Sequence, residues 1–303
     1  MEKEPTVLVT GATGMLGRAL VYHLLRQTNY SVVGVARRAW LAEPHPRYTH
    51  LQGDLADQSF TRSLVAGRDS LWVVHTAGYV DVDGSETNHS LPTSVHIRAT
   101  QWLSDAASVK RFIYISTDSV YDGAQGNYTE SDLPNPINFY AKTKWEGEVA
   151  ALRHPNSVSL RCTLYGYHSP WSTPKASLFE WGYENLKNNQ PIPGFTDVLM
   201  TPISMHQLSR VVRRLLDNQL TRGILNVGSQ ETLSKFDFLN AIATKMKWDP
   251  ALIQPRILQS VKLVAPRPKN TSLNTSRFTD MMKETLRFDD GLNELLDSLR
   301  SET

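Results

Sequence analysis

The sequence predicts an α/β protein: a Rossmann-type doubly wound parallel sheet with a smaller C-terminal α/β substrate lobe. Three observations carry this. GATGMLG (11–17) follows a short β-branched run and opens a leucine-spaced helical stretch. Apolar strands then alternate with helical patterns, the signature of right-handed βαβ units. After Tyr165 the chain turns aromatic and turn-rich, in HSPWSTPK (168–175) and NNQPIPGFTD (188–197), before helix and strand return.

In order, TVLVT (6–10) reads as a buried strand stopped by Gly11. The stretch 15–27 carries Leu16, Leu20 and Leu24 at helical spacing. SVVGVA (31–36), LWVVHT (71–76), RFIYIS (111–116) and SVSLRC (157–162) predict further strands. Residues 92–107 predict a helix, as do residues 136–152, with Asn135 a candidate N-cap and Pro136 in the first turn. MHQLSRVVRRLLD (205–217) predicts a helix and GILNVG (223–228) a strand. From Thr232 helix, loop and short strands follow, with several prolines. Two domains are expected: 1–166 plus about 199–229, and about 167–198 with 230–303.

Composition narrows the function classes. Of 303 residues 40% are hydrophobic and 20% charged, a globular balance. A formal charge of +2 gives no field for nucleic acid. The single cysteine, Cys162, excludes an internal disulfide framework and suits a reducing, cytoplasmic setting. No apolar run approaches the roughly 18 residues of a membrane helix. The N-terminal stretch lacks the apolar core of a signal peptide. His45, His50, His75, His89 and His96 show no metal-ligand spacing, so no metal is expected.

A strand-to-helix turn needs glycine where the backbone bends sharply, and its helix N-terminus attracts anions. Gly11, Thr13, Gly14, Met15, Leu16 and Gly17 are therefore expected to cradle a dinucleotide pyrophosphate. After the second strand comes Ala36-Arg37-Arg38, with no acid to hold a free ribose hydroxyl. Arginine's planar fork suits a 2′-phosphate, which predicts NADP(H) rather than NAD(H).

Tyr140 and Lys144 share a helix face at i, i+4. Ser116 and Thr117 end a strand, where ligands of open α/β sheets bind. Reducing a ketone needs hydride on carbon and a proton on oxygen. A phenol of pKa about 10 could supply the proton, and a nearby ammonium is expected to acidify it. A hydroxyl could orient the carbonyl. Tyr183 and Lys187 repeat the spacing without a strand-end hydroxyl, which reads as packing. Arg256, Lys262, Arg267 and Lys269 form a modest basic stretch, either solvated or suited to a diphosphate.

TGATGMLG, STDSVYDG (116–123) and YAKTK, in this order, resemble the extended short-chain dehydrogenase/reductases. AGYVDVD (77–83), NFYAKTKWEGE (138–148) and RPKNTSLNTSRF (267–278) are most similar to the dTDP-4-dehydrorhamnose reductase group. The resemblance spans nearly the whole chain. It implies Tyr140 as proton donor, Lys144 as its partner and Thr117, rather than Ser116, as the carbonyl-orienting hydroxyl. It implies Asp54 and Leu55 beside the adenine, and Thr76, Ala77, Gly78 and Tyr79 along ribose and phosphates. It implies Val82 and Asp118 as sugar contacts, with Arg267 on the substrate side and Cys162 near the nicotinamide. Each has a plainer reading: Val82 as packing, Asp118 as a turn-former, Cys162 as a small buried hydrophobe.

Two departures stand out. His96-Ile97 occupies the place of the group's Asn-Val, and RCTLYGYHSPW (161–171) fits the sugar-pocket pattern poorly. The expected activity is NADPH-dependent reduction of a 4-keto nucleotide sugar such as dTDP-4-dehydrorhamnose. Another biosynthetic ketone is the first rival. The second comes from ATGMLGRA and Arg37-Arg38, which also resemble the regulatory β subunits of methionine adenosyltransferase. These are NADP-binding partners of a catalytic synthetase. A homodimer or a synthetase partner are the assemblies left open.

Overall fold

The computed structural model describes residues 5–40, 43–168, 176–218 and 220–302. In chain order the strands are β1 (Thr6–Thr10), β2 (Ser31–Ala36), β3 (Tyr48–Gln52), β4 (Leu71–His75), β5 (Val109–Ile115), β6 (Ser157–Arg161), β7 (Thr163–Tyr165), β8 (Ile192–Phe195), β9 (Leu199–Met200), β10 (Pro202–Ser204), β11 (Gly223–Asn226), β12 (Leu233–Ser234) and β13 (Ile253–Arg256). Seven form one parallel sheet in the order β11-β6-β5-β4-β1-β2-β3. Chain direction across the sheet reverses beside β1, the position where such sheets bind ligands.

Residue alternation explains the layering. Val7 and Val9 of β1 face one core, shared with the Met15–Gln27 and Met205–Asp217 helices. Leu8 faces the other, with Leu64, Leu103 and Ala151. Leu20 and Leu24 of the first helix are fully buried. Each such side chain stabilises the fold by roughly 1.5–3 kcal/mol. The small pairs β10-β7, β12-β9 and β13-β8 lie outside the main sheet. Tyr183 packs on Phe179 and Trp248, so its spacing to Lys187 serves packing. Among the described residues no helix is long and apolar enough to cross a membrane.

Three expectations change. β3 was not foreseen, because YTHLQ is half-exposed and has no apolar run. The expected uniform helix around residues 92–107 contains a π-helical turn, Thr93–Arg98, between Ser90–Pro92 and Ala99–Ser104. The catalytic-side helix is Phe139–Leu152, capped by Asn138, whose side chain accepts from the Ala141 N–H at 2.8 Å. Asn135 lies three residues before that cap, outside the helix, and donates its amide to Asp122.

Candidate active site

The site is built at the C-terminal edge of β1, β4 and β5. Gly11 has φ +69°, and a Cβ there would lie 2.9 Å from the Ala77 backbone. A Cβ on Gly17 would lie 2.1 Å from the Gly11 carbonyl oxygen. Larger residues would clash at both, so the turn packs flat against the sheet. The Met15–Gln27 helix starts at Gly14 with no side-chain cap. Among the described residues no side chain caps its first turn, which fits a pyrophosphate. Thr13, Met15 and Leu16 lie within this turn and first helical turn.

Arg37 and Arg38 are exposed just beyond β2. Their carbonyls accept from Gln52 Nε2 at 3.0 Å and His50 Nε2 at 2.8 Å, which fixes the backbone under both side chains. Asp54 is exposed and accepts from the Ala56 N–H, while Leu55 is buried. Thr76 Oγ1 donates to the Thr10 carbonyl at 2.6 Å, and the Ala77 N–H reaches Thr10 Oγ1. Gly78 is exposed. The Tyr79 N–H donates to His96 Nε2 at 2.9 Å.

That bond fixes the histidine tautomer. Nε2 accepts, so the proton lies on Nδ1 and donates to Thr143 Oγ1 at 2.9 Å. Thr143 in turn donates to the Tyr140 or Phe139 carbonyl, at 2.9 and 3.1 Å. Burial, then Lys144 and His75, hold the His96 pKa well below its ordinary value. Neutral His96 thus braces the Thr76–Tyr79 loop against the helix that carries Tyr140 and Lys144.

Thr117 lies beside Tyr140 and favours its anionic form. Ser116 Oγ is buried with no partner among the described residues, so Thr117 is the strand-end hydroxyl beside the phenol. The expected acidification of Tyr140 is corrected. Burial raises its pKa, the Asp118 charge adds to the rise, and Thr117 opposes it. Lys144 is not among the groups that oppose the rise; its Nζ donates to the Ile115 carbonyl at 2.5 Å and sits 4.2 Å from the Tyr114 ring centre. Burial lowers the Lys144 pKa to about 7.

Other expected contacts fall as follows. Asp118 is 5% exposed and accepts hydrogen bonds from Thr117, Ser119, Thr163 and Thr271. Arg267 pairs with Asp83 at 2.9 Å, and the Ala265 N–H meets the same oxygen at 3.1 Å. Lys269 pairs with Asp197 at 3.2 Å. Val82 opens the short Val82–Thr87 helix and is half-buried. Cys162 is buried and its pKa is pushed up to about 12 by burial and Asp118, which makes it a thiol and not a nucleophile. The segment 161–171 leaves the described residues at 169–171. Thr143, Thr163 and Thr271 were not singled out from the sequence, although each lies in a quoted motif: NFYAKTKWEGE, RCTLYGYHSPW and RPKNTSLNTSRF.

Fold and site define a class: a Rossmann protein with a dinucleotide cradle beside a tyrosine, threonine and lysine set. The chain belongs to the family described as RmlD substrate binding domain, which matches residues 5–301. A relative in Haloferax volcanii, "Probable low-salt glycan biosynthesis reductase Agl14", is 32% identical over 273 residues, covering 88% of this chain and 89% of that protein. "Methionine adenosyltransferase 2 subunit beta" of Danio rerio is 31% identical over 284 residues, covering 89% and 83%. Among solved structures, a dTDP-4-dehydrorhamnose reductase from Clostridium acetobutylicum gives a TM-score of 0.81 at 25% identity, covering 97% and 99%. A dTDP-4-dehydrorhamnose reductase from Bacillus anthracis in complex with NADP shares the fold, with a TM-score of 0.82 at 20% identity, covering 98% and 100%.

Proposed function

We propose that the chain is an NADPH-dependent reductase of a 4-keto nucleotide sugar. One observation carries the reading: the Tyr140 phenol lies beside Thr117, just beyond β5, in a fold whose glycine turn suits a dinucleotide. Family membership and the reductase relatives support it.

Amides of Gly11–Gly17 hold the pyrophosphate, and Arg37 and Arg38 hold the 2′-phosphate. Asp54 and Leu55 flank the adenine, and Thr76–Tyr79 line ribose and phosphates. Cys162 packs near the nicotinamide as a neutral thiol. NADPH, when bound, supplies the hydride. Tyr140 gives its proton to the ketone oxygen; its raised pKa keeps that proton in place at neutral pH. Thr117 aligns the exchange, and Lys144 steadies the negative charge left on the phenol. Val82 and Arg267 lie on the sugar side. Residues 1–166 with about 199–229 hold the cofactor, and the remainder holds the sugar, in a cytoplasmic protein.

The test is NADPH consumption with a panel of keto nucleotide sugars, alongside Tyr140→Phe. The expected variant binds NADPH normally and loses most turnover; near-normal turnover removes Tyr140 from the role. The β-subunit relatives favour a second reading, a regulatory partner of a methionine adenosyltransferase. Association with such a synthetase, with no ketone reduced, would establish it.

A further inference from the structure

We infer that Asp118, Thr163 and Thr271 form a hydroxyl–carboxylate clasp through which the C-terminal segment sets the direction of the Thr117 hydroxyl. Asp118 is the sole carboxylate among these four residues, and its oxygens are fully used. Oδ1 accepts from Thr117 at 3.1 Å and from Ser119 at 3.4 Å. Oδ2 accepts from Thr163 at 2.6 Å and from Thr271. A carboxylate offers about four lone-pair sites, so four hydroxyl donors satisfy the ionised form. The donors come from three segments: the turn after β5, strand β7, and a C-terminal stretch 153 residues away in sequence.

Each hydroxyl carries one proton. With Thr163 and Thr271 on Oδ2, the other oxygen is turned toward Thr117, whose proton it takes. The threonine oxygen then accepts the Ser119 N–H at 3.2 Å, so the hydroxyl beside Tyr140 is held in one direction. The clasp thereby fixes the direction of the Thr117 hydroxyl before a ketone arrives. Thr271 is itself seated: its N–H donates to the Leu199 carbonyl at 3.0 Å, and Asn270 N–H donates to the Gly123 carbonyl at 3.1 Å. Thr163 and Thr271 are positioning residues, acting through Asp118 on Thr117. Around the carboxylate, the charged or titratable groups are Tyr140, Cys162 and Lys235.

The kinetic arm rests on the reductase reading; the spectroscopic arm does not. Thr271→Val removes the donor at near-constant shape. Losing a donor destabilises the charged carboxylate, so the Asp118 carboxyl should titrate at higher pH, read by its 13C shift. NADPH affinity should hold. Turnover should fall about tenfold to a hundredfold with little change in ketone KM, and its acid limb should move to higher pH. Thr271→Ser should restore both. Should Thr271→Val fail to fold, Thr163→Val makes the same test. An unmoved Asp118 titration in the Val variant overturns the clasp whatever substrate is found. A moved titration in a protein that reduces no ketone keeps the clasp and overturns the reductase reading. A moved titration with unchanged turnover on an active ketone overturns the positioning role.

Discussion

The Lys144 ammonium donates to the Ile115 carbonyl at the end of β5, 2.5 Å away, and not to the phenol one helical turn before it. Burial lowers its pKa to about 7, so its charge fades near neutrality. The sign follows from the protonated form being the useful one. Below that value the ammonium can steady an anionic phenol oxygen; above it the charge is gone. In the free enzyme, kcat/KM for NADPH should therefore fall by about tenfold per pH unit above about 7. Lys144→Met should be slow and show no such limb. Persistence of the limb in that variant would assign it to another group. The stability contribution runs the other way: between about 7 and 10.5 the unfolded chain holds a proton the folded one has lost, so this residue favours folding as pH rises.

His96 should appear in 15N spectra as the neutral Nδ1–H tautomer, since Nε2 accepts from Tyr79. Its folded pKa lies below the ordinary 6.5, so on acidification the unfolded chain gains the proton first, and stability is lost as pH falls below 6.5. His96→Ala orphans the Tyr79 N–H and should cost about 1–3 kcal/mol in urea unfolding. NADPH binding should weaken with it, because the cofactor loop loses its brace. A variant that melts and binds like the parent would reduce His96 to packing.

Arg37 and Arg38 have their backbones pinned by Gln52 and His50 while the side chains are exposed beyond β2. Charge-assisted bonds to a 2′-phosphate are worth about 1.5–3 kcal/mol. Replacing both with Ala should weaken NADPH binding by tenfold or more, on the order of that energy, and leave NADH binding nearly unchanged. Calorimetric titration of both cofactors decides it. Equal losses would point to a general electrostatic effect.

Much of this architecture is readable in the chain, for definite reasons. The Met15–Gln27 and Met205–Asp217 helices carry strong apolar spacing, and their expected bounds match the structure. The glycine turn is legible because two of its glycines are sterically required. The π turn is not, since six residues cannot separate a wider helical period from the ordinary one. Nor is the direction of the Tyr140 shift. It depends on burial and on Asp118 just beyond β5, and not on the lysine on its own helix. The pairing of Arg267 with Asp83 joins residues 184 apart, which no local pattern announces.

The helix that presents Tyr140 is anchored by a buried ion pair. Glu148 and Arg161 are each 1% exposed, joined at 2.5 and 3.1 Å. Ser159 donates to the same carboxylate at 3.0 Å, and Arg161 donates to the Tyr121 hydroxyl at 2.6 Å. Every strong donor and acceptor there has a partner, so the desolvation cost is offset only while the set is whole. Glu148→Gln leaves a buried guanidinium without its counter-charge and should cost about 3–5 kcal/mol in urea unfolding. Glu148→Leu combined with Arg161→Met removes both charges and should cost less than the two single changes together. A strictly additive double variant would show that the two charges do not stabilise one another. The helix would then owe its position to apolar packing alone.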